Sequence, residues 1–131
     1  MHIEVERKIV DQSPETVFNF LTDVNNFEVL MPENKSVFEV YDEKTFRFGL
    51  SGMPEIVLRK EEEIPHSKIV LGAASSKLNF NLTIDIEELE ASKSEVGLSF
   101  QGKFNAMMGM MIKGPITKFM ETLTENMDKI G

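Results

Sequence analysis

The sequence predicts an α+β fold: a curved antiparallel sheet of seven strands, two short helices after strand 1, and a long C-terminal helix packed across the concave face. Two patterns carry this. In "LNFNLTIDIEEL", Leu78, Phe80, Leu82, Ile84 and Ile86 alternate with Asn79, Asn81, Thr83, Asp85 and Glu87. That period of two marks a strand with one buried and one wet face. Near the C-terminus, Ile116, Phe119, Met120, Leu123, Met127 and Ile130 recur at helical spacing, with Lys118, Glu121, Thr122, Glu125 and Asn126 on the other side. A sheet with one apolar face and a helix with one apolar stripe bury both most economically against each other.

The elements follow in order. "IEVERKIV" (3–10) begins with alternation and reads as strand 1. In "DQSPETVFNFL", Ser13 is a good N-cap, Pro14 suits the first helical turn, and Val17, Phe18 and Leu21 make one apolar side. Asp23 can cap a second short helix through "VNNFEVLM", closed by Pro32. Strands then follow at 36–41, 45–50, 55–63 and 68–74, separated by the turns "DEK", "SGMP", "IPHS" and "SSK". Phe46, Phe48 and Leu50 share a face of one of them. After the strand of Leu78–Leu89, "EVGLSFQGKF" repeats the alternation with Val96, Leu98, Phe100 and Phe104. Gly97 and Gly102 suit places where a curved sheet bends or bulges. Gly114 and Pro115 are expected to interrupt any helix running through "FNAMMGMMIKGPITKFM", which holds five of the chain's nine methionines.

At 131 residues the chain is read as one domain, 1–131, long enough to bury a real core. With no cysteine, disulfides, thiolate catalysis and Cys-based zinc sites are excluded. The start lacks the apolar stretch of a signal peptide, and the longest apolar run is far too short to span a bilayer, so a cytoplasmic location is expected. The formal net charge is −8 and the basic residues are scattered along the sequence, which argues against a nucleic-acid partner. Nothing in the sequence implies a cofactor or a metal.

The opening strand, "SPETVFNFLTDVNNFEVLMP" as paired short helices, the meander and the terminal helix together resemble the helix-grip fold of the START-like superfamily, the Bet v 1-like or polyketide cyclase/lipid-transport group. The resemblance spans nearly the whole chain, and it is nearest to short bacterial members of unassigned function. It implies an elongated cavity between sheet and helix. Many relatives hold lipids, sterols, polyketides or plant hormones there, some catalyse cyclisation or dehydration, and some bind other proteins. The resemblance fixes fold far better than function.

In an antiparallel meander the loops after strands three, five and seven lie at one end. This gathers Met53, Met107, Met108, Met110 and Met111 near the beginning of the terminal helix, the end where relatives usually carry the cavity entrance. Methionine is unbranched and polarizable, so such a cluster suits a deformable apolar gate; it equally suits gap-filling core or a self-association patch. Phe46, Phe48, Phe80, Leu82, Leu98, Phe100, Phe104, Phe119, Met120 and Leu123 are candidates for the interior or its mouth, and either line a cavity or fill it. Arg7 is in phase with Ile3, Val5 and Ile9, and Lys60 with Ile56 and Leu58, so each is a candidate to meet an anionic head group at the edge of the interior. The alternative for both is a side chain turned to water.

Catalysis has little to work with. His2 is terminal, His66 sits in a polar turn, Asp85 and Glu87 point to solvent, and "EEE" at 61–63 reads as a solvated strand end. The leading expectation is a module that binds or carries a small hydrophobic or amphipathic molecule. The alternatives are a protein–protein interaction module with a filled cavity and a homodimer contact through the methionine-rich end, or a cyclase/dehydratase-type enzyme. An empty, closed interior with exposed methionines would favour the interaction module.

Overall fold

The computed structural model describes residues 1–33, 35, 37–50, 55–74 and 79–130. The strands are β1 (His2–Glu4), β2 (Lys8–Val10), β3 (Val37–Val40), β4 (Thr45–Gly49), β5 (Ile56–Ile64), β6 (Lys68–Ala73), β7 (Phe80–Glu90) and β8 (Lys93–Gly102). The helices are α1 (Pro14–Thr22), α2 (Phe27–Leu30) and α3 (Ala106–Glu125). The sheet runs in the order β1-β8-β7-β6-β5-β4-β3, with β2 also pairing β8, and every pairing is antiparallel.

The sheet has eight strands rather than the seven expected, because the first strand is broken. Glu4 pairs with Ser99, but Lys8 pairs with Val96, so the N-terminal strand spends one more residue than β8 between these points. That extra residue reverses the side-chain phase. Ile3 is buried before the break; after it Val10 is buried and Ile9 is exposed. Gly97 lies opposite the break, and the Arg7 side chain crosses it so closely that a Cβ there would meet the guanidinium at 3.0 Å. Gly102 makes room for the ring of Phe104 and the Cβ of Phe80. The two other register shifts fall at Lys60/Glu62 and Glu88/Glu90.

The helical caps behave as the sequence suggests. Ser13 Oγ accepts from the Thr16 amide at 3.1 Å, with Pro14 in the first turn of α1. Asp23 Oδ1 accepts from the Asn25 amide at 3.0 Å and opens a 3-10 turn, Val24–Asn26, that leads into α2. Val17, Phe18, Leu21, Val24, Phe27 and Leu30 all go into the core.

The largest departure concerns the last helix. It does not start after Pro115 but runs through both Gly114 and Pro115 from Ala106. Asn105 caps it, its Oδ1 accepting from the Met108 amide at 2.8 Å. Gly109 and Ile112 carry the buried stripe back by two turns, so packing holds the segment helical despite the proline. Proline removes one bond, to the carbonyl of Met111, and that residue is exposed to water. Beyond Glu125 a 3-10 turn, Asn126–Lys129, brings Met127 and Ile130 into the core.

The core is one cluster between α3 and the apolar sheet face. Phe119 of α3 stacks on Phe48 of β4 with ring centroids 4.9 Å apart. Phe48 continues to Phe46 at 6.0 Å, and Phe46 to Phe27 of α2 at 5.2 Å. Phe48→Ala is therefore expected to cost about 3–5 kcal/mol of stability by opening a cavity between two ring partners. Ser13→Ala should cost only about 1 kcal/mol through the lost cap. Urea denaturation of both variants would read the contrast, and similar midpoints for the two would refute this ranking.

Candidate functional site

The residues expected to line a cavity pack together in the core. Phe46, Phe48, Phe80, Leu82, Leu98, Phe100, Phe119, Met120 and Leu123 are all buried, the most accessible being Phe80 at 6%. A second aromatic group packs beside the paired ends of β7 and β8. Phe80 lies 4.9 Å from Phe100, Phe100 6.1 Å from Phe104, and Phe104 6.4 Å from Phe80. Phe104 and Met108 are half-buried and pack on the core.

The methionines divide by position on the helix. Met120 is fully buried. Met107, Met110 and Met111 stand on the outer side of α3, 75%, 83% and 55% exposed. Met53 lies outside the described residues. The topology does place the start of α3 beside the end of β8 and the start of β7, as Phe80 pairs with Gly102. Sequence spacing alone did not separate these three methionines from the packed ones, since helical phase was not assigned upstream of Gly114.

The two candidate head-group cations behave differently. Arg7 is exposed and lies over Gly97, so it does not reach the interior; the break after β1 shifts the phase that pointed it inward. Lys60 keeps its inward phase, in line with buried Ile56 and Leu58, and its side chain is 11% exposed. Its ammonium already has partners. Nζ donates to the Thr22 carbonyl at 2.5 Å and pairs with Glu63 Oε1 at 2.8 Å. Lys60 thus ties the C-terminal end of α1 to β5, where a cation also meets the negative end of the helix.

The polar groups elsewhere are dispersed. His66 is exposed with φ of 66° and meets Phe18 edge-on at 5.6 Å. Asp85 and Glu87 lie on the polar face of β7, as expected. Asp42, in the turn between β3 and β4, has its carboxyl held below the usual carboxylate range, first by the Lys44 amide donating to it at 2.8 Å. No group of three or more metal-ligating side chains occurs among the described residues. Lys60→Met should cost about 1–3 kcal/mol, because the Thr22 carbonyl and Glu63 lose a charged partner. Chemical denaturation measures this; an unchanged midpoint would mean that the tie between α1 and β5 adds nothing.

No family model and no curated protein sequence matches the chain. Solved structures do. Zhui aromatase/cyclase from a Streptomyces species superposes with a TM-score of 0.76 at 14% identity, covering 98% of this chain and 92% of that one. A protein from Thermus thermophilus gives 0.72 at 13% identity over 98% and 95%. The Aha1 dimer from Colwellia psychrerythraea gives 0.62 at 16% identity over 98% and 96%. Likeness at these identities is a likeness of fold. An antiparallel sheet gripping a long C-terminal helix, superposed over nearly the full length of such neighbours, gives this chain the helix-grip fold.

Proposed function

We propose that this chain is a binding module whose contact surface is the outer side of the first half of α3, not a carrier with a standing internal cavity. The observation that carries the reading is the division of apolar side chains. Among the described residues the inward-facing phenylalanines are stacked and buried, while Met107, Met110 and Met111 are left to solvent together. Three large apolar side chains on adjacent turns mark a surface that gains free energy when covered, at about 25 cal/mol per Å2. Methionine adapts to partners of different shape.

A second reading has one specific support. The fold is shared with an aromatase/cyclase, so an apolar small molecule taken up between sheet and helix is its natural rival. Under that reading the first half of α3 lifts about Gly114 and Pro115 and the ring group of Phe80, Phe100 and Phe104 parts.

Two measurements separate these. The double variant Met107→Ser, Met110→Ser should elute earlier from a hydrophobic-interaction column while its stability stays within about 0.5 kcal/mol of the parent. Unchanged retention would remove the outer methionines as a contact surface. Native mass spectrometry of gently purified protein, followed by organic extraction, should give bare protein. A reproducible apolar adduct would instead favour uptake into the interior.

A further inference from the structure

The methionine end is also the basic end of an acidic molecule. Glu61, Glu62 and Glu63 on β5, Glu87, Glu88 and Glu90 on β7, and Glu95 on β8 share one end of the sheet, since Glu63 pairs with Ile69, Ile69 with Ile84, and Glu87 with Glu95. The start of β7, the end of β8 and the start of α3 lie at the other. From Val96 to Met120 the chain has no acidic residue, its longest such stretch, yet it carries Lys103, Lys113 and Lys118. All three lysines are exposed, in and just before α3. Of the acids that come nearest along the strands, Glu55 and Glu39 share Arg47 at 2.9 and 3.0 Å, and Glu4 lies beside His2 at 3.4 Å. Lys103 and Lys113 precede the second half of α3; Lys118 lies within it, one turn before Glu121.

We propose that this end docks on an anionic lipid surface. The inference rests on the reading of α3 above and names the occupant of that same surface. Exposed apolar side chains on a helix enter the boundary between head groups and acyl chains, and flanking lysines meet the lipid phosphates. A molecule with net charge −8 is repelled by an anionic membrane in any other orientation, so the asymmetry sets which end approaches. A symmetric contact between two copies through this end would set lysines against lysines, which favours lipid over a second copy. No described helix is long and apolar enough to cross a membrane, so the contact is peripheral.

Co-sedimentation of the full chain with vesicles tests this. Vesicles of equal parts phosphatidylcholine and phosphatidylglycerol should pellet the protein at low ionic strength and release it as salt is raised, while phosphatidylcholine alone should not. Lys113→Gln should weaken binding about fivefold, as one lysine near the surface is lost. Met110→Ser should also weaken it, and Lys93→Gln, at the acidic end, should leave it unchanged. Failure to pellet at low salt, or binding indifferent to both Lys113→Gln and Met110→Ser, would overturn the proposal. If the protein alone is a dimer that Met110→Ser dissociates, and vesicles do not bind, the occupant is a second copy: the lipid proposal falls and the contact-surface reading stands. If chromatographic retention is also indifferent to the methionines, both fall.

Discussion

The architecture depends on one contact, the apolar stripe of α3 pressed against the apolar face of the sheet. Phe119 on Phe48 is its centre, and Phe46 and Phe27 extend the stack to the opening helices. Without α3 the sheet would leave a row of large rings in water; without the sheet the helix would expose half of its length. Burial of both faces at once is what makes a 131-residue chain able to hold such a sheet and helix together. It also explains why Pro115 is tolerated. The packed residues on either side of it, Ile112 and Ile116, hold the backbone helical, and the bond that proline removes belongs to an exposed turn.

Close packing of the inward-facing rings has consequences beyond stability. Where the resemblance implied a cavity, the described residues are buried phenylalanine rings, and the two most exposed large apolar side chains among the described residues, Met107 and Met110, lie on the outside of α3. The first half of α3 is the part of the helix with fewest buried side chains. Inner and outer faces of one segment therefore answer different demands, and the outer one is matched with exposed lysines at the basic end of an acidic molecule.

The two cations singled out by strand phase show how far periodicity can be pushed. Lys60 obeyed the period of two because β5 is regular up to that residue; the shift in register comes just after it. Arg7 did not, because one extra residue had entered before it. Lys60 also found partners from α1, a helix distant in sequence, so even a correctly phased cation became a tie between elements and not a group waiting for a ligand.

The fold class, the caps at Ser13 and Asp23, the six strands from β3 to β8 and the buried face of the sheet were legible in the sequence, since each follows from local periodicity or from a hydrogen bond within a few residues. The break between β1 and β2, the true start of α3 and the stacking of the inward-facing rings were not. A bulge is defined by the partner strand's register, a helix through Gly–Pro by what packs on it, and ring stacking by the summed shapes of side chains from α2, β4, β7, β8 and α3. The acidic end belongs to the same class: glutamates of β5, β7 and β8, far apart along the chain, come to one end of the sheet only when it is folded.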